Sequence, residues 1–154
     1  MGGLDGADYA RVSITFIAAL GFFVVVPNFG SALNALLLGE SEARHLGFNI
    51  EKVKRILIVM VAAVVGVSVA MAGTIAFVGL VVPHIVRLIV GPDHRRLIPL
   101  SAIAGSILLL IADTVARFLV SPAELPVGLV TAVIGAPFFI SLLMRRFEYG
   151  LSGA

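Results

Sequence analysis

The sequence predicts an all-α fold, a polytopic transmembrane bundle of about five spanning helices. Three observations predict it. Of 154 residues, 60% are hydrophobic and 13% charged, about half the ~25% charge of soluble domains. The apolar residues fall into runs long enough to cross a ~30 Å hydrocarbon core, which takes about 20 helical residues. The lysines and arginines gather in the short intervals between those runs, as cytoplasmic loops require. Cysteine is absent, which excludes disulfides and thiolate metal centres. The net charge is +2, and the bases stand in small separated groups, so no nucleic-acid-binding tract is expected.

Taken in order, Met1–Tyr9 is acidic and is not the basic opening of a cleavable signal peptide. Arg11 to about Pro27 predicts a first spanning helix, short unless it continues past Asn28. Gly30–Leu38 is amphiphilic and leads into the longest polar interval, Gly39–Arg55. Ile56–Val90 is too long for one crossing and barely long enough for two. Two short helices turning near Met71–Thr74, with Gly73 supplying the turn, fit it; one long helix to Val82 and a surface segment is the competing layout. Gly91–Arg96 is a polar break, Ile98–Leu119 a fourth crossing, Ser121–Glu124 a loop and Leu125–Met144 a fifth crossing, followed by a basic tail.

The charges choose between layouts. Five crossings put Arg44, Lys52, Lys54, Arg55, Arg87, Arg95, Arg96, Arg145 and Arg146 on one side and only Arg11 and Arg117 on the other. Four crossings would move Arg95 and Arg96 outside, against the positive-inside rule. The expectation is a multi-pass protein of the plasma (inner) membrane with its N-terminus outside and its C-terminus cytoplasmic. An odd number of crossings beginning outside predicts the C-terminal half of a larger protein. Small residues four apart, Gly66/Ala70, Ser101/Gly105 and Gly128/Ala132/Ala136, predict seams of close helix packing.

The polar interval holds Glu40, Glu42 and Glu51 of the nine acids and Arg44, Lys52, Lys54 and Arg55 of the eleven bases. Glu40 and Arg44 stand i,i+4 in the favourable acid-first order. Gly47 suits a left-handed helix end, and Asn49 can cap the next helix at Ile50 and Glu51. The interval therefore predicts a short helix, a corner and a spanning helix: a compact knob offering Ala43, Leu46 and Phe48. An unremarkable solvated loop is the other reading.

Leu38-Gly-Glu-x-x-Ala-x-x-Leu-Gly47 resembles the coupling-loop signature of ABC importer permeases for cobalamin, haem and ferric siderophores. Ala72–Arg87, Asp93-His-Arg95, Pro99, Ala112–Arg117, Glu124-Leu-Pro126 and Gly135–Phe139 resemble that family's further blocks, in order and across essentially the whole chain. Met1–Leu4 resembles the segment preceding its sixth helix. The resemblance implies a single transmembrane permease domain over 1–154, equivalent to the last five of about ten helices. It implies a cytoplasmic coupling loop at about 34–50 that sits in a groove of an ABC ATPase, with Glu40, Ala43, Arg44, Leu46 and Gly47 as coupling residues. It also implies Arg117, oriented by Asp113, as the point where a periplasmic or lipid-anchored binding protein docks. A second permease copy and the N-terminal half are the remaining partners.

Without the resemblance, Asp113 and Arg117 read equally as a self-contained i,i+4 pair, with the arginine reaching the outer interface. His45, His84 and His94 lack ligand-like spacing, so no metal site is expected, and Pro83, His84 and Arg87 read as a helix end. No P-loop follows a glycine run and no catalytic constellation appears, so neither enzyme nor cofactor is expected and ATP hydrolysis falls to another subunit. An ion-driven transporter or channel half predicts intramembrane carboxylates, of which only Asp113 qualifies. A non-transporting truncated fragment is the remaining alternative.

Overall fold

The computed structural model describes residues 8–119 and 127–151, and among these every regular element is helical. α1 (Tyr9–Val25) runs through a 3₁₀ turn (Val26–Phe29) into α2 (Gly30–Leu36). The combined span, Tyr9–Leu36, is 28 residues long, so the first crossing continues past Asn28. Pro27 lacks an N–H and forces the tighter turn. The Asn28 amide then donates to the Val25 carbonyl at 3.2 Å and the Val24 carbonyl at 3.4 Å.

α3 (Glu40–His45) is a six-residue knob, and α4 (Ile50–Ala72) a 23-residue helix packed along α1. Gly73, at φ 70°, ends α4. The single long helix to Val82 is thereby excluded. The two expected helices are, however, unequal. α4 rises ~34 Å, whereas α5 (Val78–Val90) has 13 residues and rises only ~20 Å. Among the described residues three helices are long and apolar enough to cross a membrane: Tyr9–Leu36, Ile50–Ala72 and His94–Phe118.

Segment 73–77 is held by α7 (Val127–Leu151). Phe77 adopts the left-handed conformation, φ 64°, a strained choice for a bulky residue. It lies so close to Gly135 that an added Cβ would meet the Phe77 Cβ and stand 2.7 Å from its Cγ. A Cβ on Gly128 would be 3.0 Å from the Thr74 carbonyl. The close seam of α7 is thus Gly128, Thr131 and Gly135, not the Gly128/Ala132/Ala136 stripe expected from spacing. Both patterns lie on a helical face; the tie is broken by a phenylalanine that needs a partner without a Cβ. The Ser101/Gly105 seam is present, with Gly105 against Val78 and Val82 of α5. A Cβ added at Gly66 would have nothing within 4 Å, and Ala70 is exposed, so among the described residues the Gly66/Ala70 stripe has no close partner.

α6 (His94–Leu119) is the helix with the deepest contacts. Leu97, Gly105, Ala112 and Ala116 are buried at helical spacing. Leu97 joins Val82 and Val86 in one apolar cluster with Val78, Val90, Ala104 and Leu108 around it. A second cluster, Ala35, Ala43 and Ile50 with Leu36 and Phe48, sits under the knob. His84 lies mid-helix in α5, edge-on to Phe138 at 6.2 Å, and is not the helix end that the sequence suggested.

Candidate functional site

The knob is built by three conformational choices. Gly39, at φ 112° and ψ 157°, turns the chain off α2 through a region essentially reserved for glycine. α3 follows for six residues, and Gly47, at φ 87°, ends it. The Phe48 N–H reaches back to the Ala43 carbonyl at 3.2 Å and the Gly47 N–H to the Arg44 carbonyl at 2.9 Å. These are the paired bonds of a Schellman end. Asn49 then accepts the Lys52 N–H at 3.1 Å and starts α4.

The expected Glu40–Arg44 pair does not form. Glu40 bonds Lys54, and Arg44 bonds Glu51 at 3.2 Å. The corner at Gly47 brings the first turn of α4 alongside α3, so each charge finds an opposite charge across the corner. Exposed pairs of this kind contribute little stability each, and both bridge α3 and the start of α4. The Lys54 ammonium, bonded to Glu40, holds that carboxyl below its ordinary range. A depressed carboxyl stabilises above its unfolded pKa and loses that contribution as pH falls through the folded value, so this clasp is closed at neutral pH.

Ala43 is 0% exposed, packed against Ala35 and Ile50. It does not lie on the offered surface, which corrects the sequence reading. A six-residue helix needs an anchored side, and the smallest apolar residue lets α3 approach α2 and α4 most closely. Facing outward are Leu38, Arg44 and Leu46, the last 61% exposed. Phe48 is half-buried. Glu40, Ala43, Arg44, Leu46 and Gly47 are therefore one structure: the glycine and alanine shape it, the glutamate clasps it, and Arg44 and Leu46 present it.

Sequence reasoning missed the second half of this end of the molecule. Asn34 on α2 donates to Asp93 Oδ1 at 2.6 Å and accepts the His94 N–H at 2.8 Å. Arg95 donates to Ser31 Oγ at 2.5 Å. The donated amide of Asn34, with the Arg95 N–H, holds the Asp93 carboxyl below its ordinary range. Between this contact and the knob opens a groove of about 420 Å³, with Leu38, Leu46 and Phe48 on one wall and Ser31, Asn34, Asp93 and Arg95 on the other. The available signal was the polar Asp93-His-Arg95 itself, without any pointer to its partner.

Asp113 and Arg117 lie apart from the knob, ~29 and ~35 Å along α6 from His94. Arg117 Nε donates to Asp113 Oδ2 at 2.9 Å, with the aspartate side chain 18% exposed and the arginine 58%. The carboxylate is tucked in and steers a guanidinium that faces out. Among the described residues no cluster of His, Asp and Glu is gathered for a metal ion. The readings that fall on Met1–Leu4, on the loop 121–124, on Glu124–Pro126 and on the side chains of Arg145 and Arg146 lie outside the described residues and side chains.

Comparison with known proteins matches this architecture. Residues 1–145 match the model of the FecCD transport family. The chain is 43% identical over 148 residues to the hemin transport system permease protein HmuU of Yersinia pestis, covering 96% of this chain and 44% of that protein. It is 48% identical over 145 residues to the vitamin B12 import system permease protein BtuC of Salmonella schwarzengrund, covering 94% and 44%. It is 44% identical over 146 residues to the cobalamin import system permease protein BtuC of Halobacterium salinarum, covering 95% and 39%. A metal-chelate type ABC transporter solved in an inward-facing conformation superposes with a TM-score of 0.86 at 33% identity, over 94% of this chain and 46% of that one. The chain thus spans less than half the length of the relatives it matches.

Proposed function

The chain belongs to the FecCD transport family, and from that premise we propose that it forms the C-terminal five helices of an ABC importer permease for iron–siderophore, haem or cobalamin-type chelates. It carries no phosphate-binding loop, so ATP hydrolysis belongs to a separate cytoplasmic ATPase. In this reading the α3 end is cytoplasmic, the N-terminus lies outside and the far end of α6 faces the external binding protein. A second permease copy and the N-terminal half complete the pathway.

One observation carries the proposal. α3 is a short helix whose buried side packs on α2 and α4 and whose outer side offers Arg44 and Leu46. A motor can drive only an element that does not deform when pushed. Held in an ATPase groove, α3 transmits rigid-body displacement into α2 and α4, as alternating access needs. At the other face, Arg117 offers a steered positive charge to an acidic patch of the binding protein.

ATPase capture tests the reading. Arg44→Glu reverses the charge on the offered side and leaves Ala43 and both glycines in place. Capture of the cognate ATPase by the detergent-solubilised permease should fall at least tenfold. Undiminished capture counts against α3 as the gripped element.

A further inference from the structure

We infer that Asn34 is a positioning residue that pins the α3 knob to α6, so that the inner knob and the outer Asp113–Arg117 pair belong to one mechanical body. The inference rests on the reading of α3 as the element an ATPase grips, and adds to it a residue and a route.

The first turn of α6 begins with backbone N–H groups that have no partner within the helix. Asn34, sixty positions earlier in the chain, supplies one: its Oδ1 accepts the His94 N–H at 2.8 Å and lies 3.0 Å from His94 Nδ1. Its Nδ2 donates at 2.6 Å to Asp93 Oδ1, the same oxygen that takes the Arg95 N–H at 3.1 Å. One side chain thus caps another helix and holds that helix's own cap. Only a group with a donor and an acceptor side by side does both. Aspartate offers acceptors alone and would set a second carboxylate against Asp93.

A further contact stands beside it on the same face of α2. Arg95 reaches Ser31, and Gly30 permits the approach, since a Cβ there would lie 2.7 Å from Arg95 Cγ. Beside these residues Ala35 packs with Ala43 and Ile50 and ties α2 to the knob. Beyond the pin α6 continues as a single 26-residue helix that rises ~39 Å and carries Arg117 in its last turn. Knob, α2, pin and α6 are therefore continuous, and displacement at either end reaches the other through Asn34.

The test uses the assembled transporter in lipid nanodiscs, with the complete permease, its cognate ATPase and its cognate binding protein. ATP hydrolysis is measured with and without binding protein. Asn34→Asp should reduce stimulation by the binding protein at least fivefold. Asn34→Asp combined with Asp93→Asn re-forms the bond between positions 34 and 93 with its roles exchanged, at the cost of the bond that Asp93 Oδ1 takes from the Arg95 N–H, and should restore part of it, a rescue that general loss of packing cannot give. Ser31→Ala, which removes only the neighbouring contact, should cost about twofold and keeps the test open if Asn34→Asp fails to assemble. Wild-type stimulation in both Asn34→Asp and Ser31→Ala overturns the inference, as does an exchanged pair no better than Asn34→Asp alone. Failure of the underlying reading looks different: Arg44→Glu would then retain its ATPase. Failure of the pin alone leaves Arg44→Glu damaging while position 34 is silent.

Discussion

α4 and α6 are helices of similar length and similarly apolar sequence, and they are held in opposite ways. No part of the apolar window of α4 is buried within the chain, whereas 11% of that of α6 is. α4 rests one face on α1 and is fixed at its start by the Asn49 cap, buried Ile50 and the Lys54–Glu40 and Arg44–Glu51 pairs. α6 is gripped along its length by α5 and α7 and pinned at its start by Asn34. The difference teaches that hydrophobicity decides whether a helix enters the membrane, while small residues and a few polar contacts decide where it stands. Lipid tails give helices little hydrophobic reason to associate, so among the described residues α6 is placed by fit along its length and α4 by contacts with α1 and at its first turn.

The gripped region should tolerate least. Gly135→Ala places a Cβ on Phe77, and the cost should be on the order of 2 kcal/mol, as for other overpacked sites. Thermal unfolding in detergent measures it. Phe77→Gly should recover most of the loss, because it removes the clash and the left-handed strain together. No loss in Gly135→Ala would mean that segment 73–77 does not seat on α7 as described.

A smaller effect, of opposite sign in the two helices, sharpens the contrast. Gly105→Leu drives a side chain into Val78 and Val82 and should cost about 1–2 kcal/mol. Gly66→Leu meets open space among the described residues and, in this chain by itself, should be neutral or stabilising by up to about 1 kcal/mol through helix propensity alone. Equal losses at the two positions would show that α4 has a close partner along that face.

Much of the polar end was legible in the sequence because its determinants are local. Gly47 as a helix end, Asn49 as a cap and Gly73 as a break each follow from a residue's own conformational range. The fold class follows from the same kind of reasoning, whereas the continuation of the first span past Asn28 was left open by the sequence and is settled by the structure. What was illegible depends on chain paths. Glu40 finds Lys54 instead of Arg44 because a corner folds α4 back beside α3. Ala43 turns inward because Ala35 and Ile50 already occupy that side. The Asn34–Asp93 contact joins residues that no spacing rule connects. On α7, helical spacing admits two small-residue stripes, and only the position of Phe77 selects between them.

The proposed grip of an ATPase on α3 requires that helix to project on the cytoplasmic face. Ser41 is exposed on that helix, and the chain has no native cysteine, so Ser41→Cys reports on one site. A membrane-impermeant thiol reagent should label it in inverted membrane vesicles and not in intact cells, and added ATPase should block the labelling. Labelling in intact cells with none in inverted vesicles would contradict the topology and the coupling role together.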